Sequence, residues 1–293
     1  MHYLEIHRII KPKSFIVAIA GDSGVGKDYL CETIRNLVGK KTICILNGDD
    51  YHKYERGHSA WEQLTHLNPK ANKLKKWQKH IKILQIGFPI VKKEYDHRNG
   101  KFGFPRLITS RKIIVTQGLH AIEVVSSFDN SFRIFLEMDE RLRVELKLSR
   151  DVETRKKNQS EVRAQIEKRK IDYDNFVRDQ RNYSDLLISF NNIGKNYADI
   201  SVESNDLLLI DRYARKVLAV TDYSMNRRNQ KNGRYRLEIK AFELEKVSLF
   251  YLVEKSLGIS INEENRNKLK NTNPTSILGA ILILIVLNEK WSI

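Results

Sequence analysis

Apolar runs rich in β-branched residues alternate with stretches of helical spacing over residues 14 to 205. Such runs are typical of buried parallel strands, whereas apolar residues that recur every three or four positions are typical of helices. The alternation predicts βαβ units, and hence an α/β fold with a mainly parallel sheet and helices on both faces. The predicted strands are Phe15–Ala20, Thr42–Asn47, Lys112–Thr116, Phe132–Glu137 and Leu186–Phe190. The predicted helices are Lys27–Val38, Asn72–Ile86, Glu140–Arg150 and Ser160–Lys168.

The pattern changes from about residue 206. Met225–Arg236 is polar and basic and predicts a loop, while Ala241–Leu257 and Ser276–Leu287 have helical patterns. We therefore predict a small, mostly helical C-terminal part that packs on the sheet or on a partner. The predicted domains are 1–205 and 206–293.

Composition is that of an ordinary globular protein, with 41% hydrophobic and 30% charged residues among 293. The longest apolar run, Ile277–Leu287, is too short to span a bilayer, and it predicts a buried helix capped by Thr275 or Ser276. Cys31 and Cys44 give no disulfide framework. With no secretory signal visible, we expect a cytoplasmic protein without a membrane partner.

The net charge of +16 has three competing explanations. A basic cleft would attract nucleotides and sugar phosphates, and a basic face would bind nucleic acid or an anionic membrane. The third is a lysine-rich composition with a solvated surface, which we favour because the lysines are spread along the chain. No recognition motif supports nucleic-acid binding.

The most informative segment, Gly21-Asp-Ser-Gly-Val-Gly-Lys27, fits the phosphate-loop pattern GxxxxGK between a predicted strand and a predicted helix. Glycines let the backbone turn its N–H groups toward an anion, and the helix start and the lysine add positive charge. The competing interpretation is a plain βα turn with an incidental lysine. The segment implies a nucleoside triphosphate. The residues assigned to it are Gly21, Asp22, Ser23, Gly24, Val25, Gly26, Lys27 and Asp28.

Six further motifs follow the loop: Asn47–Arg56, Leu64–Asn72, Tyr95–Gly100, Gln117–His120, Lys147–Asp151 and Ile166–Asp174. In order and spacing they resemble the phosphoribulokinase/uridine kinase family of P-loop kinases, and the phosphoribulokinase branch more closely. The resemblance covers roughly residues 14–190. It implies a P-loop kinase fold, ATP and Mg²⁺ as cofactors, and a small phosphorylated sugar or a nucleoside as the acceptor.

The resemblance gives Asp49 the role of base for the attacking hydroxyl, with Lys27 on the β/γ-phosphates. The alternative for Asp49 and Asp50 is a helix-capping turn. The resemblance places four residues on the acceptor side: His52, Arg56, Tyr95 and His97.

The resemblance also implies a basic lid. Lys147 and Arg150 share a helix face and, with Arg155, would neutralise the transferring phosphoryl group. A solvated charged helix is the alternative. Of the lid residues, Lys147 is assigned to the substrate, Arg150 and Arg155 to catalysis, and Asp151 to the metal.

Two departures from the family pattern affect the metal site. The family has Ser or Thr where this chain has Asp28, and Glu where it has Gln117. Both positions serve the metal in the family. One hypothesis is that the Asp28 carboxylate replaces the charge lost at Gln117, since Mg²⁺ prefers carboxylates to amides. The other is that both positions have decayed and the protein binds nucleotide without turnover.

The sequence thus predicts a phosphotransferase that acts on a hydroxyl of a phosphorylated sugar. The alternatives are a uridine kinase-like nucleoside kinase and a catalytically impaired nucleotide-binding or scaffold protein of the same fold. Retention of Asp49, Arg56, Arg150 and Arg155 argues against a scaffold, and Gln117 argues for it. A homo-oligomer is compatible with either.

Overall fold

A computed structural model describes residues 14–154, 158–193, 197–218, 223–230, 233–241 and 245–291. The chain forms two compact units. The first comprises residues 1–23, 41–133 and 145–183, and the second comprises residues 24–40, 134–144 and 184–293. The predicted domains, 1–205 and 206–293, are drawn differently from these units and stay a prediction.

Ten strands and nine α-helices lie in the described residues. The strands are β1 (Phe15–Gly21), β2 (Ile43–Asn47), β3 (Ile90–Asp96), β4 (Lys101–Ile108), β5 (Ile113–Gln117), β6 (Ser131–Met138), β7 (Leu186–Ile193), β8 (Ala198–Ser204), β9 (Tyr223–Asn229) and β10 (Tyr235–Ala241). The helices are α1 (Lys27–Val38), α2 (Leu74–Gln85), α3 (Ala121–Val124), α4 (Glu140–Ser149), α5 (Gln159–Phe176), α6 (Leu207–Leu218), α7 (Lys246–Leu257), α8 (Glu263–Leu269) and α9 (Pro274–Trp291).

The predicted α/β class is confirmed. The five predicted strands correspond to β1, β2, β5, β6 and β7, and the four predicted helices before residue 205 correspond to α1, α2, α4 and α5. Helix α1 has the predicted bounds, whereas α5 continues to Phe176, beyond its predicted end at Lys168.

A parallel sheet of three strands, in the order β2-β5-β1, forms the centre of the first unit. Every residue of β1 and β5 is buried, which explains why both are continuous apolar runs. The register pairs Gln117 with Ile19 on one side and with Asn47 on the other. The carboxyl ends of the three strands therefore lie at one edge, where open α/β sheets bind their ligands.

The segments after these strands come close together at that edge. Strand β2 continues into a 3₁₀ turn, Gly48–Tyr51, and β5 is followed by Gly118. A Cβ atom at Gly118 would lie 3.0 Å from the Cα of Gly48 and 3.0 Å from the ring of Trp77. Glycine at residue 118 thus permits the close approach of two strand ends.

Strands β3 and β4 form an antiparallel hairpin that the sequence pattern does not predict. Its register runs from Ile90 opposite Ile108 to Asp96 opposite Lys101, with an irregularity between Lys93 and Tyr95. Glycine and proline weaken the strand signal of β4, and Pro105 fits a strand whose outer edge is unpaired. The hairpin turn carries His97.

In the second unit, β6 and β7 are parallel, while β7–β8, β8–β10 and β10–β9 are antiparallel pairs. The prediction of a loop at Met225–Arg236 is wrong, because most of this segment lies in β9 and β10. Strand β9 is too polar to show a strand pattern, as is common for strands at a sheet edge. In β10, the alternating residues Leu237, Ile239 and Ala241 are buried.

Helix α9 is part of the core of the second unit, where it packs against α1 and α7. Residues 277–287 are buried without interruption, as predicted. The predicted cap is wrong: Asn273 precedes the helix, and its Oδ1 accepts the N–H of Thr275 at 2.8 Å. Among the described helices, none combines the length and the apolar character needed to cross a bilayer.

Candidate active site

The phosphate loop has the backbone conformation that its glycines predict. Gly24 and Gly26 have φ values of +100° and +86°, which side chains other than glycine rarely adopt. Gly26 directly precedes α1, and its carbonyl accepts the N–H of Leu30 at 2.9 Å. Lys27 and Asp28 are the first two residues of the helix. The N–H groups of the first helical turn therefore follow the loop directly, an arrangement suited to binding phosphate.

Asp49 lies in the 3₁₀ turn after β2, between two imidazole rings. Its Oδ2 is 2.9 Å from Nε2 of His97, and its Oδ1 is 3.4 Å from Nε2 of His52. Burial by itself would raise the pKa of the Asp49 carboxyl, but the hydrogen bonds and charges of the two histidines hold this pKa well below its ordinary value. The Asp49 side chain is still 35% exposed. An ionised carboxylate is thus accessible at the sheet edge.

His52 is held in a buried cluster of rings. Its Nδ1 lies 2.7 Å from Oδ1 of Asn72. The rings of Trp61, His66 and Tyr95 surround it, with centroids 6.3, 4.4 and 5.5 Å from that of His52. Tyr95, predicted on the acceptor side, therefore lies in the same cluster as His52.

Arg56 contacts the hairpin turn. Its Nη2 donates to the carbonyl of His97 at 2.6 Å and its Nη1 to that of Arg98 at 3.3 Å. At Gly100, where φ is +75°, a Cβ atom would lie 2.3 Å from the Cβ of Arg56. The structure thus shows Arg56 fixing the turn that carries His97, and its role on the acceptor phosphate stays a prediction.

Asp50, the neighbour of Asp49, connects the 3₁₀ turn to the hairpin. Its Oδ2 forms a buried ion pair with Nζ of Lys92, and its Oδ1 accepts the N–H of Tyr95 at 2.7 Å. The side chains of Asp50 and Lys92 are only 4% and 5% exposed. This pair therefore sets the position of β3 relative to the turn that holds Asp49.

Gln117 joins two strand ends at the candidate metal position. Its Nε2 donates to Oδ1 of Asn47 at 3.0 Å, and the residue is buried. Within the described ranges, no cluster of three or more His, Cys, Asp or Glu residues is arranged to hold a metal ion. Mg²⁺ in kinases is usually held by one or two carboxylates, water and substrate phosphates, a need that the Asp28 carboxylate fits. The assignments of Asp28 and Gln117 to the metal stay predictions.

Three of the predicted lid residues form a partly buried charged cluster beside the loop. Lys147 Nζ donates to Oγ of Ser23 at 3.1 Å and lies 3.6 Å from Oδ2 of Asp151. Arg150 donates to the other oxygen of Asp151 at 2.9 Å. Burial, with the positive charges of Arg169 and Arg150, lowers the pKa of Lys147 to about 7. Asp151 is thus paired with two cations, and its assignment to a metal stays a prediction.

The structure brings seven of the predicted residues into two groups of the first unit. Asp49, His52, Tyr95 and His97 form the acceptor-side group. Lys147, Arg150 and Asp151 form the group that contacts Ser23. Arg155 lies outside the described residues.

Several residues of the site were not assigned from the sequence. Asn72 ends one of the recognised motifs, after the turn Asn68-Pro-Lys-Ala, but the motif gave it no role. An asparagine beside a short turn commonly hydrogen-bonds to neighbouring backbone groups, a signal that predicts those partners but not His52. The other residues that sequence analysis missed are Trp61, His66, Lys92 and Arg169.

A glycine loop between a buried strand and a helix start, and a carboxylate after another strand of the same parallel sheet, define a P-loop protein of the nucleotide-binding α/β type. Comparison with known families is more specific. The chain belongs to the Phosphoribulokinase / Uridine kinase family, whose model matches residues 16–195.

Relatives with assigned names are similar over this region. Phosphoribulokinase from Synechocystis sp. is 30% identical over 175 residues, which are 59% of this chain and 52% of the relative. Chloroplastic phosphoribulokinase from Arabidopsis thaliana is 28% identical over 199 residues, covering 60% of this chain and 49% of the relative. The chain thus spans about half the length of these relatives.

A solved structure confirms the predicted P-loop kinase fold. Phosphoribulokinase from Rhodobacter spheroides superposes with a TM-score of 0.60, covering 84% of this chain and 95% of that one, at 16% identity. At this identity the likeness concerns the fold alone.

Proposed function

We propose that this protein is an ATP-dependent kinase that transfers the γ-phosphoryl group to a hydroxyl of a small phosphorylated sugar. The observation that carries the proposal is Asp49, an accessible carboxylate kept ionised at the sheet edge from which the phosphate loop begins. A scaffold has no need of such a group. Family membership and the phosphoribulokinase relatives support the same reaction class.

In the proposed reaction, the acceptor hydroxyl oxygen forms a bond to the γ-phosphorus while the bond from that phosphorus to the β,γ-bridging oxygen breaks. The hydroxyl proton passes to a carboxylate oxygen of Asp49, and ADP leaves with the bridging oxygen. His97, 2.9 Å from Asp49, orients the carboxylate. A base with a low pKa suits this step because the hydroxyl loses its proton late, after the phosphorus–oxygen bond has loosened.

The nucleotide would be held by the phosphate loop and the start of α1, with Lys27 as a charge on the phosphates. Lys147 contacts Ser23 and would add a cation at the same loop. Mg²⁺, when bound with the nucleotide, would neutralise phosphate charge, and we assign the Asp28 carboxylate to it because Mg²⁺ prefers carboxylate ligands.

The acceptor side is positively charged and aromatic. The positive charge of Arg169 acts on both His52 and Lys147, so three basic residues lie near one another in the first unit. This favours a phosphorylated sugar. The rings of Trp61 and Tyr95 favour the second candidate, a nucleoside, because a base would stack on them.

An ADP-release assay with Mg²⁺, ATP and a panel of sugar phosphates and nucleosides tests the proposal. We expect turnover with a phosphorylated sugar and a fall of about 10²- to 10⁴-fold in Asp49→Asn. Asp129→Asn, which changes an exposed carboxylate, is the control and should leave turnover unchanged. Absence of turnover with every member of the panel, or full activity in Asp49→Asn, would contradict the proposal.

The alternative of a catalytically impaired protein depends on whether Asp28 and Gln117, which depart from the family pattern, still support metal binding. If the Asp28 carboxylate replaces the charge absent from Gln117, Asp28→Ser should weaken Mg-ATP binding and turnover, and Asp28→Ser with Gln117→Glu should restore both. Turnover that rises in Asp28→Ser alone would show that the two positions do not compensate. Mg-ATP affinity, measured by calorimetry, separates lost binding from lost chemistry.

A further inference from the structure

The buried imidazole of His52 has a hydrogen-bond partner whose orientation can be deduced. Asn72 Nδ2 donates to the carbonyls of His66 and Asn68, at 2.9 and 3.0 Å. Rotating the carboxamide by half a turn would place its oxygen against those two carbonyl oxygens. The carboxamide oxygen of Asn72 therefore faces His52 Nδ1, at 2.7 Å.

An acceptor at this place requires a proton on Nδ1 of His52, because a carboxamide oxygen cannot donate. The second nitrogen, Nε2, then faces the Asp49 carboxylate at 3.4 Å. A neutral ring would turn its lone pair toward that anion, whereas an imidazolium turns an N–H toward it. The contacts on both nitrogens are therefore satisfied only by the doubly protonated ring.

We propose that Asn72 is a positioning residue that keeps His52 doubly protonated beside Asp49. It acts through His52 and touches neither substrate nor nucleotide. Its consequence for the proposed kinase, on which this part rests, is a fixed positive charge at the acceptor site. That charge selects an anionic acceptor over a neutral one.

The groups that face His52 divide into two sets. Asp49 in the 3₁₀ turn and the Asn72 oxygen favour its charged form, while burial and the positive charge of Arg169 on α5 oppose it. The net result is that the pKa of His52 is raised above its ordinary value. His66, whose ring centroid is 4.4 Å away, adds no opposing charge, because burial and nearby cations lower its pKa to about 2. His97 faces the other oxygen of Asp49.

The test is ¹⁵N NMR of the histidine rings, in the whole protein without nucleotide or acceptor. In the wild type, both nitrogens of His52 should carry protons at pH 7. Asn72→Leu, which removes the acceptor, should lower the pKa of His52 by about 1 unit or more. Asn72→Asp, which adds a negative charge, should raise it. Shifts in opposite directions cannot come from loosening of the loop, which would move both variants toward the ordinary value.

Asn68→Ala is the matched control, since Asn68 lies in the same loop but its side-chain oxygen accepts the N–H of Lys70 instead of contacting His52. It should leave the pKa of His52 in place. An unchanged His52 in folded Asn72→Leu, or a fall in Asn72→Asp, would overturn the proposal. If Asn72→Leu does not fold, the direction of the shift in Asn72→Asp decides alone.

Turnover gives a second, separable readout. With a phosphorylated acceptor, Asn72→Leu should raise KM more than it lowers kcat at pH 8, and lower pH should restore KM as His52 regains its proton. A protein with no turnover on any acceptor would refute the proposed kinase but leave the NMR result interpretable. A KM that does not depend on pH in Asn72→Leu would refute the link between Asn72 and the acceptor.

Discussion

At the residue scale, charge in the site is adjusted by what surrounds each group. Lys147 is almost fully buried and keeps a pKa of about 7, although Asp151 lies 3.6 Å away. Near neutral pH this lysine is therefore only partly charged in the free protein. Because its ammonium contacts Ser23 of the phosphate loop, a bound triphosphate would favour the charged form.

We therefore predict that nucleotide binding takes up protons, up to about half a proton per nucleotide at pH 7. Calorimetry in buffers of different ionisation enthalpy measures the uptake. Lys147→Arg, whose charge is permanent, should abolish it, while Lys79→Arg at an exposed site of α2 should not. Equal uptake in Lys147→Arg and the wild type would contradict the assignment.

The lowered pKa of Lys147 also predicts how the stability of the protein depends on pH. The folded-state pKa of about 7 lies below the ordinary value of 10.5, so the unfolded chain binds more protons between these values. The free energy of unfolding should consequently rise with pH over this range. Lys147→Met should flatten the rise, which urea titrations at several pH values would show.

At the element scale, the ion pair of Lys92 and Asp50 holds the hairpin of β3 and β4 to the 3₁₀ turn that contains Asp49. Both side chains are buried, so removing one partner leaves an uncompensated charge. We predict that Lys92→Met lowers the free energy of unfolding by about 3–5 kcal/mol. The double variant with Asp50→Asn should recover part of this loss. Lys93→Met, at the exposed neighbouring residue, should lower the free energy of unfolding only slightly.

Urea unfolding measures each difference, and turnover reports the effect on the site. Because β3 leads to the turn that carries His97, Lys92→Met should also impair the proposed catalysis. If Lys92→Met lowers the free energy of unfolding no more than Lys93→Met does, the ion pair of Lys92 and Asp50 does not hold the hairpin.

The sequence predicts best those strands and helices in which buried apolar residues recur without interruption. Strands β1 and β5 and helix α1 were predicted to within about one residue because each buries apolar residues at a regular period. Strand β9 and the β3–β4 hairpin were missed because edge strands need little apolar surface, and β4 contains Gly103 and Pro105. Pairing with a neighbouring strand, β10 for β9 and each other for β3 and β4, decides their structure, and apolar periodicity does not reveal that pairing.

The residues of the candidate site divide in the same way, into those that a local motif predicts and those whose contacts arise only in the folded chain. The phosphate loop is a local motif, so its glycine conformations follow from the sequence alone. Asp49 and His97 could be named from the family resemblance, but their 2.9 Å contact depends on the docking of a hairpin that the pattern does not reveal. Asn72 had no role in the motif because its partner, His52, is identified only by the three-dimensional structure.

At the scale of the whole molecule, the C-terminal segment is built into the core of the second unit. Helix α9 packs against α1, the helix that follows the phosphate loop. A Cβ atom added at Gly279 would lie 3.2 Å from the ring of Phe190 and 3.6 Å from the side chain of Leu30, a residue of α1. Stability of this segment and geometry of the loop helix should therefore be coupled.

We predict that Ile283→Ala, one helical turn from Gly279 on the same face and fully buried, lowers the free energy of unfolding by about 2–5 kcal/mol. The reason is the cavity left beside packed neighbours. Leu208→Ala in α6, whose side chain is 66% exposed, is the matched control and should change stability by less than about 0.5 kcal/mol. If α9 supports α1, Mg-ATP affinity at a temperature where the variant is still folded should fall in Ile283→Ala and not in Leu208→Ala. Destabilisation with unchanged nucleotide affinity would show that α9 contributes to the core without shaping the loop helix.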